Sequence, residues 1–134
     1  MLSKFKFHHI GVATHSIAQT SKYYLDIDFK ISEIIFDPIQ NVNICFIRKE
    51  GFPSIELIEP ISDLSPVAKI IQKVGVSPYH FCYEVDDVDE AIKSLKKIKF
   101  VALSKSVNAV ALESRKICFL YNKDIGLIEL VQSK

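Results

Sequence analysis

Two histidines and two glutamates carry the chemistry most readily read from this sequence. His9 and His80 each sit in a short apolar run, within HHIGVA and YHFCYEV, and Glu56 and Glu129 each sit between aliphatics, within SIELIEP and GLIELVQ. Imidazole nitrogens and carboxylate oxygens form a borderline-hard donor set that suits Zn, Ni, Co, Mn or Fe(II), and neither softness nor charge selects among these. Four protein ligands leave positions on a five- or six-coordinate ion for water or substrate oxygens, an arrangement that supports Lewis-acid chemistry. Taken singly, each residue has a plainer reading, as a solvated strand glutamate or a hydrogen-bonded structural histidine. Occurring twice, the combination favours the ion. A carboxylate flanked by aliphatics on a strand can be wanted in an interior if a cation compensates it.

The repetition extends beyond those four residues. Laying 8–29 (HHIGVATHSIAQTSKYYLDIDF) over 79–100 (YHFCYEVDDVDEAIKSLKKIKF), an offset of 71 residues, matches His9 with His80, Lys22 with Lys93, Ile27 with Ile98 and Phe29 with Phe100. Ile10 and Phe81, Ile17 and Val88, and Tyr24 and Leu95 are similar pairs. Ile55-Glu56-Leu57-Ile58 overlays Ile128-Glu129-Leu130-Val131 at an offset of 73. Two matched segments at nearly equal offsets point to an internal duplication. Duplicated modules pack about a pseudo-twofold axis, so the four residues are expected to converge in a single cleft.

The elements that must position them agree between copies. Residues 5–13 are β-rich, and Ser16 is a suitable N-cap for a helix over 17–25. Strands are then expected over 31–36, 42–48 and 55–59, separated by turns at Asp37-Pro38 and Gly51-Phe52-Pro53. The second copy has a strand over 79–85, a helix over 88–98 capped by Asp86 or Asp87, and strands over 101–104, 117–121 and 127–132. Between them Ser65-Pro66 starts a short helix ended by Gly75. The reading is one α+β domain over 1–134, with a first βαβββ module at 5–60, a connecting helix in 61–76 and a second βαβββ module at 77–133. Strand alternation puts His9 on a face with Phe7 and Gly11, and His80 on a face with Cys82 and Glu84.

Composition excludes several alternatives. In 134 residues, 49% are hydrophobic and 25% charged, too apolar for a disordered chain. Seventeen basic against sixteen acidic residues leave a net charge of +1, without the basic field that nucleic acid or a membrane surface requires. Cys45, Cys82 and Cys118 are odd in number and widely spaced, which suits a reducing, cytoplasmic compartment. The N-terminal MLSKFKFHHI lacks the apolar core of a signal peptide, and no membrane span is expected. The expected partner is a small-molecule substrate.

HHIGVA, SIELIEPIS, YHFCYEVDDVDEAI and GLIELVQ together resemble the vicinal oxygen chelate superfamily, which includes glyoxalase, bleomycin resistance proteins and dioxygenases. Over about residues 5–132 the chain is most similar to its methylmalonyl-CoA epimerase family, with glyoxalase I behind it. The resemblance implies two βαβββ modules forming a half-open mixed β-barrel around a divalent metal ion, with His9, Glu56, His80 and Glu129 as ligands. It also implies proton transfer alpha to a carbonyl through a metal-stabilised enolate, on an acyl-CoA or other acyl thioester. Glu129 is the first candidate to shuttle that proton, since a ligand carboxylate can be displaced by substrate. A lactoylglutathione lyase and an antibiotic-sequestering binding protein are the alternatives within the superfamily. A homodimer through an edge strand is also compatible with the resemblance.

The chain departs from the epimerase pattern in places. Tyr79-His80 stands where those sequences usually carry two histidines, no glycine precedes Gly126 in the last stretch, and Asn43 falls roughly where some epimerases have a second carboxylate. Other conspicuous residues receive structural readings: His8 opposite His9, His15 solvated, Cys82 packing, and Lys93, Lys96, Lys97 and Lys99 a solvated helix face. Arg115 and Lys116 suit either an anionic substrate or an exposed turn.

Overall fold

A computed structural model describes residues 4–134. The first three residues, which open the expected domain, lie outside them. The fold is α+β, each half following the βαβββ order with the strand after its helix split into two short segments, and no helix among the described residues is long and apolar enough to cross a membrane. The chain forms two compact units, His9–Tyr79 and His80–Lys134, the second joined by the N-terminal arm as far as His8.

In the first unit, the His9–Ala13 part of β1 (Lys6–Ala13) runs parallel to β5 (Ile55–Pro60), which is antiparallel to β4 (Val42–Arg48). Two short edge segments, β2 (Lys30–Ile31) and β3 (Ile35–Asp37), both pair with β4. The helix α1 (Ile17–Asp26) covers one face of this mixed sheet over a core of Val12, Ile17, Phe29, Cys45, Ile47 and Leu57. The connecting helix α2 (Pro66–Val74) has Ser65 as its N-cap and ends at Gly75, whose φ of 74° is the left-handed geometry that favours glycine.

In the second unit, β6 (Ser77–Val85) is parallel to β10 (Gly126–Gln132), which pairs antiparallel with β9 (Arg115–Asn122). Two short segments, β7 (Val101–Ala102) and β8 (Val107–Ala109), pair with β9. The helix α3 (Val88–Lys96) packs its Val88, Ala91 and Leu95 against Val85, Cys118, Leu120, Ile128 and Leu130.

The duplication reaches individual hydrogen bonds. Ser16 accepts from the amide of Gln19 at the start of α1, and Asp87, 71 residues later, accepts from Glu90 at the start of α3. The first helical amides are satisfied from the last strands: Ile17 N donates to Glu59 Oε1 at 2.8 Å, and Val88 N donates to Gln132 Oε1 at 3.2 Å. Glu59 and Gln132 are related by the same 73-residue offset as the two strand glutamates. Each helix is then left through a residue at positive φ, Asp28 at 70° and Lys99 at 74°. A strand-to-helix clasp of this kind fixes each helix over its sheet and so commits the sheet's other face to a different use.

Two expected strands differ. The run over 31–36 is broken because the Ser32 hydroxyl accepts from Phe46 N while Ser32 N donates to Phe46 O, both at 2.8 Å. A side chain has taken a ladder position, and the backbone detours before resuming as β3. The strand expected over 101–104 stops at Ala102, and β8 with the 3₁₀ turn Val110–Leu112 follows. That turn closes through Glu113 and Ser114, both at φ 59°, so neither glycine nor proline marks it in the sequence.

Glu59→Ala and Gln132→Ala each remove the acceptor at a helix start. Each is expected to lower stability by about 1 kcal/mol in urea unfolding, whereas Glu59→Gln, which keeps an acceptor, should stay close to the parent.

Candidate metal-binding residues

Strand alternation explains where the glutamates point. On β5, Ile55 and Leu57 pack toward α1, so Glu56 faces the sheet's other side. Its neighbours in register are Gly11 on β1 and Phe46 on β4. Gly11 is buried and contributes no side chain beside the carboxylate. His9, wholly buried, places Nε2 3.4 Å from Glu56 Oε1, and its ring meets Phe46 edge-on with centroids 5.6 Å apart and planes at 82°.

The second unit builds the same group. Ile128 and Leu130 lie in the core beneath α3, and Glu129 between them turns to the opposite face, in register with Cys82 and Phe119. His80 Nε2 lies 3.1 Å from Glu129 Oε1, and the His80 ring meets Phe119 edge-on at 5.2 Å and 87°. His9, Glu56, His80 and Glu129 are all at most 4% exposed.

These pairs fit a metal ion. Two donors each about 2.1 Å from one ion, at octahedral or tetrahedral angles, lie roughly 3.0–3.4 Å apart, and each pair has that separation. Burying a carboxylate carries a large desolvation cost that a divalent cation can offset.

Phe46 and Phe119 escaped the sequence reading although a signal was present. Ile44-Cys45-Phe46 recurs without change as Ile117-Cys118-Phe119 at the 73-residue offset of the glutamates. Phe7 does not share His9's setting: its ring packs against Phe81 and Tyr83, each at 6.2 Å, and Phe5 with Tyr83 lines the α3 core. His8 is partly buried, its Nε2 3.2 Å from Arg115 Nη2. Arg115 is neither an exposed turn residue nor a free anion site, because it donates to Glu84 Oε2 at 2.9 Å and to the carbonyls of Leu112 and Gln132. Lys116 pairs with Asp89 at 2.9 Å. Asn43 donates to Glu59 on the α1 side of its sheet, on the face opposite Glu56. His15 and the four lysines of the α3 region are exposed, and Cys82 is buried.

Two βαβββ modules, each carrying a buried imidazole–carboxylate pair on the face away from its helix, define a protein of the vicinal oxygen chelate type. The model of the Glyoxalase/Bleomycin resistance protein/Dioxygenase superfamily matches residues 8–119. Among curated proteins, mouse mitochondrial methylmalonyl-CoA epimerase is 30% identical over 132 residues, covering 96% of this chain and 73% of that protein. Among solved structures, a hypothetical protein from Bacillus halodurans superimposes with a TM-score of 0.86 at 30% identity, over 97% of this chain and 95% of its own. The methylmalonyl-CoA epimerase of Mycobacterium tuberculosis shares the fold, with a TM-score of 0.85 at 22% identity over 96% and 88% of the two chains. The chain belongs to this superfamily, and within it to the epimerase-type enzymes.

The cysteines next to the site strands are inert by environment. Burial, followed by the charges of Glu59 and Glu56, pushes the Cys45 thiol up to about 11, and burial raises Cys118 as well. Both therefore remain protonated thiols well above neutral pH. In folded protein at pH 7.5, mass spectrometry after iodoacetamide treatment should find both unmodified, with labelling appearing only in denaturant.

Proposed function

We propose that the chain is a divalent-metal-dependent epimerase acting on the carbon alpha to the carbonyl of an acyl thioester. In this reading His9, Glu56, His80 and Glu129 are the ligands of one ion, and the chain is a first module at 5–60, a connecting helix in 61–76 and a second module at 77–133. The observation that carries it is the imidazole–carboxylate pair, buried at a ligand-to-ligand separation, at equivalent positions of both modules. The relatives' names supply the substrate class: methylmalonyl-CoA is a thioester whose reacting carbon lies between the thioester carbonyl and a carboxylate, and the thioester carbonyl takes up the charge as the alpha proton leaves.

A divalent ion bound by these residues would supply Lewis acidity toward substrate oxygens as charge develops on them. The remaining work falls to the chain. Glu129 takes the alpha proton as general base onto a carboxylate oxygen, and the alpha carbon becomes planar as the electron pair moves onto the thioester oxygen. Delivery of a proton to the opposite face of that carbon, from an acid in exchange with solvent, completes the inversion. Phe46 and Phe119 fix the imidazole planes through their edge-on contacts. Burial of the four side chains lowers the local dielectric, so each charge acts more strongly.

In heavy water, protein reconstituted with Co(II) or Zn(II) should wash deuterium into the alpha carbon of methylmalonyl-CoA and invert it. Glu129→Gln should slow exchange by roughly 10²- to 10⁴-fold. Absence of exchange on any CoA or non-CoA thioester, with tight stoichiometric binding of an antibiotic instead, would overturn the reading in favour of sequestration.

The ion itself is testable without turnover. Titration should give one ion per chain, and a free ion concentration of 100 times Kd should stabilise the fold by about 2.7 kcal/mol. His9→Ala and His80→Ala should each abolish most of that gain, and no thermal shift with any of the five metals would exclude the ion.

A further inference from the structure

A second cluster of chemistry lies on the ligand-bearing face of the first unit, outside the imidazole–carboxylate pair. Ile47 and Cys45 point into the α1 core, so their neighbours Phe46 and Arg48 share the other face with Glu56. Arg48 is exposed, and its guanidinium carbon lies 4.7 Å from the centroid of Phe46, the ring that abuts His9. The cation is thus folded back along β4 toward the pair. Directly across from Arg48 on the edge strand stands Lys30, also exposed. Its neighbour Ile31 packs into the core, which fixes Lys30 on the same face as Arg48.

Like charges in register on adjacent strands repel. Among the described residues, neither of these two enters an ion pair with an acidic side chain. The fold does not demand the charge. At the equivalent corner of the second unit, Val101 pairs in register with Tyr121, residues related to Lys30 and Arg48 by the 71- and 73-residue offsets. The same sheet corner is therefore built once from two cations and once from two uncharged residues.

We propose that Lys30 and Arg48 form an oxyanion-binding rim that holds an anionic group of the substrate and thereby sets which way round it lies. This deepens the thioester reading above and rests on it. The shared chemistry is a planar or tetrahedral group of anionic oxygens. It has two sources in such a substrate, the carboxylate on the reacting carbon and the phosphates of the carrier. Arg48 supplies a forked donor set suited to either, and Lys30 adds a mobile charge beside it.

The test measures binding by calorimetry on metal-loaded protein, so it does not depend on turnover. Methylmalonyl-CoA, propionyl-CoA and methylmalonyl-pantetheine serve as probes, against the parent, Arg48→Met, Arg48→Lys and Lys30→Met. Arg48→Met should weaken methylmalonyl-CoA roughly 10- to 100-fold, Arg48→Lys should recover part of the loss, and Lys30→Met should cost about 3-fold. Metal affinity should be unchanged in all three, which separates the rim from the ligands. A loss absent with propionyl-CoA assigns the carboxylate, and a loss absent with the pantetheine ester assigns the carrier phosphates. Equal affinities in parent and Arg48→Met, or no binding of any probe by the parent, would overturn the rim. If the parent binds the probes with the expected variant losses but exchanges no deuterium, the rim stands and the epimerase reading fails.

Discussion

A carboxylate buried behind aliphatic neighbours is the constraint from which the rest of this structure follows. Glu56 and Glu129 are each almost wholly removed from water, and each has an imidazole nitrogen within 3.4 Å. Leaving water costs an ionised carboxylate several kcal/mol, far more than a surface position would have required. A chain that needed only a stable sheet would place an aliphatic residue there, as it does at the flanking Ile55, Leu57, Ile128 and Leu130. The cost is sustained where an opposite charge is to be received.

The remaining architecture keeps these pairs in place. Each helix is clasped to the end of its own last strand, through Glu59 on Ile17 and Gln132 on Val88, while apolar residues of that strand pack beneath it. Strand alternation then leaves no choice of direction for the residue between two core aliphatics. Phe46 and Phe119, each in register with its glutamate, abut the histidine from the third strand of the sheet. The same local devices recur at fixed offsets, so a single solution to the positioning problem has been used twice.

Much of this was legible because it depends on local signals and on repetition. The N-caps Ser16 and Ser65, the ends of β4 and the directions of Glu56 and Glu129 follow from capping chemistry and a two-residue period. What escaped depends on side chains doing backbone work or on strand phase. Ser32 takes a ladder position that no propensity announces, and Glu113 with Ser114 turns the chain without glycine. Alternation read uniformly along β1 places Phe7 with His9, whereas Phe7 packs with Phe81 and Tyr83. Arg115 looked available because its partners, Glu84 and two backbone carbonyls, come from distant parts of the sequence.

Duplication brings a difficulty of its own, and the departures from symmetry bear on it. A perfectly repeated pair of modules would present the same surroundings to both ends of a substrate and could not distinguish them. The chain keeps the symmetry where an ion would require it, in the histidines, glutamates and phenylalanines, and abandons it on the strand residues just beyond. Gly11 faces Glu56 where Cys82 faces Glu129, and Arg48 with Lys30 occupies the corner that Tyr121 with Val101 fills in the second module. The exchanges alter size in one case and charge in the other, while the backbone pairing is the same in both. Selection on binding accounts for that combination more readily than selection on folding, because the fold accepts either set of residues at the same register.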